Sequence, residues 1–335
     1  MGESVTLDAG SGGRASQRLI ENIFLKNFTN EILNSRDDAA LIPIENGQLA
    51  FSVDSYTVTP LFFPGASIGS LAVNGTVNDV AMMGAAPKYL SASFIIEDGL
   101  PIDVLERIVR DMGKACREAD VKIVTGDTKV VPKGACDKIF ITTSGFGKIF
   151  ASPPPSGSAA KDGDIIIVSG TMGDHGLTVM AAREDISFIT EARSDCAPLN
   201  SLAKDIIDAA GVVRVLRDPT RGGLATTLNE IAEQSGVGLE IEQTAIPINP
   251  AVADGCSFLG LDPLYLANEG KLICVAPREK ADAILKAARA NKYGKDAAII
   301  GMVTKKDPGK VWLRTGIGGK RYLGMLEGAQ LPRIC

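Results

Sequence analysis

The sequence ends in a cysteine, Cys335, whose thiol can enter a narrow pocket end-on because no chain follows it. Glycine keeps the residues before it mobile, at the positions Gly316, Gly318, Gly319, Gly324 and Gly328. Fully extended, this final stretch reaches roughly 65 Å at about 3.3 Å per residue, further than the radius of one domain. Pro332 biases Leu331 towards an extended form. We therefore predict a tethered arm that carries Cys335 to chemistry elsewhere in the molecule.

A terminal cysteine also has plainer explanations. Most chain ends are poorly ordered and have no function, and a thiol there can serve as a redox group or a lipid attachment point. A CaaX prenylation signal places its cysteine fourth from the end, so this motif is absent. A reactive redox thiol needs positive surroundings, whereas Cys335 carries the chain's own carboxylate with only Arg333 opposing it. The tail alone leaves these alternatives open.

Acidic residues stand at several positions that suit a hard metal ion. Asp37 and Asp38 precede a predicted strand, and Asp54 ends the next one. Asp79 lies in an apolar predicted helix, where an uncompensated acid is costly, so it requires a partner such as a cation. Because the chain has a single histidine, His175, a bound metal would be held by carboxylates, which favours Mg²⁺. Adjacent acids are equally typical of turns, so these positions do not decide the matter.

Three glycine-containing loops carry further polar residues. Gly126–Lys129 follows a short buried strand predicted at Val121–Thr125, and loops at strand ends favour ligand chemistry in α/β folds. Arg217–Leu224 joins a strand to a helix and combines an acid, a hydroxyl, an arginine and paired glycines, which suits either a phosphate and metal corner or an ordinary turn. Glu269 beside Gly270 is either a general base or a turn acid.

Helical and strand periodicities alternate along the chain, which predicts an α/β protein. The glycine-rich residues 8–13 open a helix at 14–28, and such a run either cradles phosphate or forms a flexible loop. The apolar face of this helix carries Leu19, Ile20, Ile23, Phe24 and Phe28. In the first half we predict helices at 67–83 and from Pro101 onward, and strands at 41–44, 48–53, 89–96 and 139–149. In the second half we predict strands at 164–169, 212–216, 238–242, 271–275, 299–303 and 310–313, and helices from about 177, at 196–210, at 225–235 and at 277–289.

Length and composition limit the class of protein. A chain of 335 residues predicts about two domains, and the proline-rich stretch 151–157 marks the boundary between them. We expect an N-terminal domain at 1–150, a C-terminal domain at 156–313 and a flexible tail at 314–335. A net charge of −5 without a basic block argues against nucleic-acid binding.

The sequence also predicts where the protein resides. No stretch of eighteen apolar residues exists, so no membrane span is expected. The N-terminus lacks a secretory signal pattern, and Gly2 with Thr6 matches the short myristoylation pattern only weakly. Six cysteines without paired spacing fit neither a zinc site nor a disulfide framework, and indicate a reducing cytoplasm.

Taken together, the motifs resemble those of a known superfamily. The stretches Asp37–Ala40, Val53–Asp54, Val77–Met82, Gly126–Thr128 and Arg217–Leu224 resemble the ATP-binding superfamily of aminoimidazole ribonucleotide synthetase and selenide water dikinase. Three further stretches, Gly173–Gly176, Asn268–Gly270 and Pro332–Cys335, narrow the resemblance to the HypE family of hydrogenase-maturation proteins. The resemblance spans the chain, and the sister enzymes do not share its ending.

The resemblance implies a fold, an activity and partners. It implies a two-domain PurM-like α/β fold of mixed sheets and helices, a homodimer whose N-terminal sheets pair into a barrel-like core, and ATP with Mg²⁺ between the domains. Cys335 would be carbamoylated by HypF, and the resulting S-carboxamide would be dehydrated to a thiocyanate with ATP. The nitrile would pass to iron on the HypC–HypD complex and become a cyanide ligand of the [NiFe] hydrogenase centre.

The resemblance also implies roles for individual residues. The metal ligands would be Asp38, Asp54, Asp79 and Asp218. The nucleotide and its ion would be bound by Asp37, Asp38, Asp54, Asn78, Asp79, Asp127, Thr128, Asp218, Thr220, Arg221 and Gly222. Lys129 and Arg221 would offset charge on the transferring phosphoryl group, and Glu269 would remove the amide proton as the nitrile forms.

Two other functions remain to be separated from this one. Another kinase or synthetase of the superfamily would share the ATP corner but would act on a free small substrate and have no use for Cys335. A non-enzymatic carrier would contain the same acids only as turn residues and would not bind ATP with magnesium.

Overall fold

The computed structural model describes residues 13–28, 30–183 and 191–326 of the chain. These residues form two large mixed sheets with helices packed against them, so the α/β prediction is confirmed. The predictions for Cys335, for the tail beyond Leu326 and for the glycine-rich residues 8–12 lie outside the described residues.

The first sheet has the strand order β1-β2-β7-β5-β6. Its strands are β1 (Ala40–Ile44), β2 (Gly47–Tyr56), β5 (Ala85–Glu97), β6 (Lys122–Val131) and β7 (Ile139–Ile149). β5 and β6 are parallel, and the other neighbours are antiparallel. A small hairpin of β3 (Phe62–Phe63) and β4 (Ala66–Ser67) lies outside this sheet.

One face of the first sheet is covered by two helices, α3 (Ile68–Met82) and α4 (Ile102–Ala119). Both were predicted from the sequence. α3 begins at Ser67, whose hydroxyl accepts a hydrogen bond from the Ser70 amide in a capping box. The two helices approach closely: a Cβ on Gly69 would lie 2.3 Å from the carbonyl oxygen of Ile108. The small residues of α3 therefore allow it to be buried along nearly its whole length.

The opposite face of the first sheet carries exposed apolar side chains. Phe51, Phe146 and Tyr89 lie side by side across β2, β7 and β5, and the last two rings are 6.0 Å apart. Each of the three is at least 40% exposed. Val124 and Val130 on β6 are also exposed. An apolar sheet face of this kind is typical of a protein interface.

Strand β6 differs from its prediction. The sequence predicted a buried strand at 121–125 followed by a loop at Gly126–Lys129, which is wrong, because a single strand runs from Lys122 to Val131. Within the described residues it pairs only with β5, so it forms the edge of the sheet and nearly all of it is exposed.

The second sheet has the order β14-β13-β10-β12-β8-β11-β9. Its strands are β8 (Ile165–Val168), β9 (Val215–Arg217), β10 (Gly238–Glu242), β11 (Ile273–Ala276), β12 (Ala298–Thr304), β13 (Val311–Arg314) and β14 (Lys320–Tyr322). β10 and β13 are parallel, and the other pairs are antiparallel. β8 is buried along its full length, and it lies within the strand predicted at 164–169.

The helices that accompany the second sheet are α5 (Asp174–Arg183), α6 (Asn200–Ala210), α7 (Gly223–Ser235), α8 (Pro250–Leu259) and α9 (Ala281–Ala290). The sequence predicted four of them within a few residues and missed α8. Its start is signalled by Asn249, whose side chain accepts a hydrogen bond from the Ala251 amide, and by Pro250 at the first position. None of the helices among the described residues is both long and apolar enough to cross a membrane.

The N-terminal helix does not bury the face that its sequence predicted. It comprises α1 (Gly13–Leu19), a π-helical stretch (Ile20–Leu25) and a short α2 (Lys26–Phe28). The apolar residues Ile20, Ile23, Phe24 and Phe28 are 43–64% exposed. The helical prediction was correct, and two residues of the apolar face, Ile20 and Phe24, line an open cavity.

The end of the described chain is anchored. The sequence placed the last strand at 310–313 and a flexible tail after it, whereas β14 pairs with β13 and Leu326 is buried. The Asn229 side chain donates a hydrogen bond to the Leu323 carbonyl, and the Arg14 amide donates one to the Leu326 carbonyl at 3.2 Å. A mobile arm therefore cannot start before residue 327. The predicted limits of the two domains stay a prediction.

Candidate active site

A cavity of about 460 Å³ lies where the two sheets and the N-terminal helix meet, and we call it the acidic cavity. Besides Glu230, five carboxylate side chains from separate parts of the chain line it: Asp38, Asp54, Asp79, Asp218 and Glu269. Among its other lining residues are Tyr56, Arg217, Thr220, Arg221, Thr227 and Glu230. The fold thus gathers acids that stand up to 231 residues apart in sequence, from Asp38 to Glu269.

Asp38 is held by a buried arginine. The Arg217 Nε atom lies 2.7 Å from Asp38 Oδ1, and Arg217 Nη2 lies 2.9 Å from Glu230 Oε2. The second oxygen of Asp38, Oδ2, is buried without a hydrogen-bond partner. Burial raises the pKa of Asp38 well above its usual range, although Arg217 opposes the shift. Asp38 therefore offers one unsatisfied oxygen beside the cavity.

Asp54 and Asp79 form a second acidic pair, from β2 and α3. The Tyr56 hydroxyl donates to Asp54 at 3.3 Å, and the Ser52 hydroxyl donates to Asp79 at 2.5 Å. Burial raises the pKa of both carboxyls, and for Asp79 the charges of Asp54, Asp218 and Asp38 raise it further. The partners that the sequence demanded for Asp79 are thus the Ser52 hydroxyl and the Asp54 carboxyl, and the charge of Arg221 opposes the raised pKa of Asp54.

Asp218 lies in the loop between β9 and α7. Its backbone carbonyl accepts a hydrogen bond from the Thr220 amide, which tightens the loop. The loop then enters α7 through Gly222, whose φ of +79° suits glycine. Burial raises the pKa of Asp218 to about 6 despite the charge of Arg217. Glycine here lets an acid and a helix N-terminus occupy the same wall of the cavity.

Glu269 is a buried residue that lines the acidic cavity. It is 3% exposed, and its Oε1 atom is buried without a hydrogen-bond partner. Burial, followed by the charges of Asp218, Asp195 and Asp54, raises its pKa well above the usual range, while Arg221 lowers it. A buried carboxyl with a raised pKa in a cavity is typical of a general acid or base.

The acidic cavity suits a magnesium ion that is shared with a phosphate ligand. Within the described ranges no three carboxylate, thiol or imidazole side chains converge as a complete metal cage. Mg²⁺ usually takes one or two carboxylates and completes its shell with water and substrate phosphates. The unsatisfied oxygen of Asp38 and the mutually repelling carboxyls of Asp54, Asp79 and Asp218 meet that requirement.

Comparison with known proteins gives the family. The models "AIR synthase related protein, N-terminal domain" and "AIR synthase related protein, C-terminal domain" match residues 36–149 and 161–314. Carbamoyl dehydratase HypE from Rhizobium leguminosarum bv. viciae is 51% identical over 332 residues, which cover 99% of this chain and 95% of that protein. The chain belongs to the HypE family. The PurM-like fold and the resemblance to this family are thereby confirmed, and the sister kinases are set aside.

Solved HypE structures agree with the assignment. A crystal structure of HypE in complex with ATP is 56% identical, covers 99% of this chain and 100% of its own, and superposes with a TM-score of 0.84. A HypE–HypF complex is 47% identical, covers 92% of this chain and 99% of its own, and gives a TM-score of 0.87. Members of the HypE family are named as enzymes, which disfavours the non-enzymatic carrier.

The structure brings half of the fourteen predicted HypE site residues together. Seven of them line the acidic cavity: Asp38, Asp54, Asp79, Asp218, Thr220, Arg221 and Glu269. Asp37 lines an adjoining cavity, where it accepts hydrogen bonds from the Ser156 hydroxyl and the Gly157 amide. Of the two neighbouring acids, Asp38 is therefore the better placed metal ligand.

Two predicted binding residues have other tasks in this structure. Asn78 is fully buried, and its side chain donates to the carbonyls of Ala197 and Glu269 and accepts from the Leu199 amide. It therefore braces Glu269 rather than facing the cavity. Gly222 shapes the turn into α7, and a Cβ there would lie 2.2 Å from the Thr226 hydroxyl.

Asp127, Thr128 and Lys129 do not reach the acidic cavity of their own chain. They lie on the edge strand β6, where the Lys129 ammonium and the Asp127 carboxylate form an exposed ion pair at 2.6 Å. This exposed ion pair lowers the pKa of Asp127, in contrast to the raised values inside the cavity.

Sequence reasoning missed several cavity residues. Gly13, Gln17, Ile20 and Phe24 of the N-terminal helix form one wall. The glycine-rich run at 8–13 predicts either a phosphate cradle or a flexible loop, but it does not place the helix that follows at a ligand site. Glu230 lies on α7, two turns beyond the loop that carries Asp218, and no local pattern distinguished it.

Proposed function

We propose that this chain is an ATP-dependent carbamoyl dehydratase that converts an S-carboxamide on Cys335 into a thiocyanate, for the cyanide ligands of [NiFe] hydrogenase. The observation that carries the proposal is the acidic cavity, which combines magnesium-type carboxylates with a buried general base and lies beside the end of the described chain. The carbamoyl dehydratase name of the HypE relatives and the ATP complex of a 56% identical HypE support it.

The reaction removes one water from the carboxamide. The amide oxygen attacks the γ-phosphorus of ATP and ADP leaves, so the oxygen becomes part of a phosphate ester. The nitrogen loses the first of its two protons to water as this ester forms. It loses the second to a base as the carbon–oxygen bond breaks, phosphate departs and the carbon–nitrogen triple bond forms. Phosphorylation is required because the amide oxygen is otherwise a poor leaving group.

The residues of the acidic cavity match these steps. Glu269 is the base that accepts a proton from the amide nitrogen, since it is buried and its pKa is raised towards the working range of a base. Arg221, at the rim, offsets negative charge on the transferring phosphoryl group. The loops that would contact the nucleotide are held in place by Asp37, Thr220 and Gly222.

Asp38, Asp54, Asp79 and Asp218 would hold Mg²⁺. When bound, the ion neutralises phosphate charge and aligns the transferring group. A divalent cation bound between the four carboxylates would offset the repulsion among their negative charges.

The described chain ends beside the acidic cavity, as a reaction of Cys335 in that cavity requires. A Cβ on Gly13, which lines the acidic cavity, would lie 2.2 Å from the Leu326 carbonyl oxygen. Cys335 is the ninth residue after Leu326, and these nine residues span at most roughly 30 Å at about 3.3 Å each. Cys335 therefore has enough chain both to enter the cavity and to leave it.

The proposal includes partners. HypF would load the carboxamide, in keeping with the HypE–HypF complex of a 47% identical relative. A HypC–HypD complex would accept the nitrile. We place the protein in the reducing cytoplasm, where the five described cysteines would stay free as they are in the structure.

We further propose that two copies pair through the free face and edge of the first sheet. The exposed row of Phe51, Tyr89 and Phe146 provides an apolar surface, and two sheets that pack face to face would bury it. In such a homodimer Asp127, Thr128 and Lys129 of one copy would serve the acidic cavity of the other. This explains why these residues lie outside the cavity of their own chain.

Mixing two inactive variants tests this arrangement. Lys129→Ala removes the residue that one copy would contribute to the other copy's cavity, and Asp79→Asn damages the cavity of its own chain. Each variant alone should therefore be inactive. After subunit exchange, mixed dimers contain one site with neither substitution, and part of the dehydration activity should return. If the mixture stays inactive although native mass spectrometry, with one variant carrying a mass tag, shows mixed dimers, Lys129 does not act across the interface.

Intact-mass measurement tests the activity itself. After incubation with HypF, carbamoyl phosphate and ATP, the wild-type chain should first gain a carboxamide and then lose one water, with the change located on Cys335. A Cys335→Ser variant should still bind ATP, because the acidic cavity is unchanged, but should carry no thiocyanate. A thiocyanate adduct that persists in this variant contradicts the proposal.

A further inference from the structure

We propose that Asp195 and Lys271 form a buried pair that positions Glu269, and that dehydration depends on this pair although neither residue touches the substrate. The inference rests on the proposed function, in which Glu269 is the base. Asp195 and Lys271 do not line the acidic cavity, and no sequence motif singled them out.

The first observation is that the backbone of Glu269 is held from both sides. Its amide donates a hydrogen bond to Asp195 Oδ1 at 3.0 Å. Its carbonyl accepts hydrogen bonds from the Asn78 side chain at 3.3 Å and from the Ala197 amide at 3.4 Å. Asp195 and Ala197 belong to one short segment, so this segment and α3 together fix the position from which the Glu269 side chain enters the cavity.

The second observation is the close approach of the two segments. A Cβ on Gly270 would lie 1.8 Å from the Asp195 carbonyl oxygen, which explains why glycine follows Glu269. On the other side of Glu269, the Asn268 side chain accepts from the Gly173 amide at 2.7 Å and donates to the Pro219 carbonyl at 3.0 Å. The segment 268–270 is therefore fixed against three loops, one of which carries Asp218.

The third observation concerns charge. The Lys271 ammonium lies 3.3 Å from Asp195 Oδ2 and 4.0 Å from Asp174 Oδ2. The side chains of Lys271 and Asp195 are only 14% and 3% exposed. A buried carboxylate without its cation is strongly unfavourable, and without Lys271 such a carboxylate would lie beside Glu269. The Asp195 charge already raises the pKa of Glu269, as the third largest cause after burial and the charge of Asp218.

These contacts assign two separate tasks. The Asp195 side-chain oxygen orients Glu269 through its amide, and the Lys271 ammonium holds the Asp195 carboxylate in place. Removal of Lys271 alone should harm the site more than removal of both charges, because it leaves Asp195 without compensation. A displacement of the base by about 1 Å would lower the rate by roughly 10- to 100-fold.

The test uses the full-length protein with Asp195→Ala, Asp195→Asn, Lys271→Met and the double variant Asp195→Asn/Lys271→Met. Lys305→Met is the matched control, because Lys305 also pairs with an aspartate, Asp162, but is 84% exposed. For each protein we would measure the rate at which the HypF-loaded carboxamide loses water, the Kd for ATP with magnesium, and the melting temperature.

We expect dehydration to fall about 10- to 100-fold in Asp195→Ala and Lys271→Met, with ATP affinity near that of the wild type. Asp195→Asn should be closer to the wild type, since an amide oxygen still accepts the Glu269 N–H. The double variant should recover much of the activity that Lys271→Met loses. Lys305→Met should match the wild type.

Two results would overturn the inference. One is a dehydration rate in Asp195→Ala equal to that of Lys305→Met. The other is a loss of activity that parallels the losses of melting temperature and ATP affinity in every variant, with no recovery in the double variant. That pattern is expected if the pair has only a structural role. If the loaded wild-type protein itself loses no water, the proposed function fails instead, so the two failures are distinguishable.

Discussion

An Asp79→Asn variant is expected to catalyse the magnesium-dependent dehydration at least about 100-fold more slowly than the wild type. Its metal-free form should nevertheless be more stable than the metal-free wild type. Asp79 lies on buried helix α3, and its pKa is raised by burial and by the charges of Asp54, Asp218 and Asp38. An amide of the same shape removes that repulsion but also removes a ligand for the cation. Stability and activity should therefore change in opposite directions.

The pH dependence of stability follows from the same shifts. A carboxyl whose pKa is raised by folding stabilises the folded state below its unfolded pKa, and this contribution is lost as the pH rises through the folded pKa. For Asp218 the window runs from 3.8 to about 6, and a shift of this size corresponds to at most about 3 kcal/mol. The metal-free wild type should lose stability across this range, and magnesium should restore it at neutral pH.

Chemical denaturation of the metal-free proteins, with and without Mg²⁺, checks these expectations. Asp208→Asn is the matched control, because Asp208 forms an exposed pair with Lys204 on α6. The variant should raise the unfolding free energy by about 1–3 kcal/mol without metal, and magnesium should add less stability to it than to the wild type. A metal-free Asp79→Asn protein less stable than the control would contradict this account of the acidic cavity.

A Glu269→Gln variant is expected to accept the carboxamide from HypF but to dehydrate it roughly 10² to 10⁴ times more slowly. Glutamine keeps the shape of the side chain and leaves the backbone contacts with Asp195 and Asn78 intact. It cannot accept the amide proton. Because burial raises the pKa of Glu269, the wild-type rate should rise with pH beyond the range of an exposed glutamate, whereas the variant should lack this rise.

Mass spectrometry of the loaded protein distinguishes this outcome from a loss of binding. The variant should accumulate the carboxamide form with an ATP affinity within a few-fold of the wild type, because a neutral amide is easily accommodated at a buried site. Glu240→Gln, at an exposed pair with Lys320, is the control. A Glu269→Gln protein that forms the thiocyanate at the control's rate would show that another group removes the proton.

Local sequence patterns determined the elements that carry the site. Some features depend only on interactions within a few residues, so each element could be predicted separately from its own sequence. These features are the apolar runs and small residues of α3, the regular apolar spacing of α4 and the glycines before α7. The motifs around Asp38, Asp79 and Asp218 were likewise local.

The tertiary structure alone decided which residues meet. Whether a strand lies inside a sheet or at its edge depends on its neighbours, and so β6 with Lys129 proved exposed. The N-terminal apolar face proved to line a cavity, because no local pattern states what a helix packs against. The contacts of Asp195 and Lys271 with the Glu269 segment depend on how distant parts of the chain pack together, which the spacing of residues does not encode.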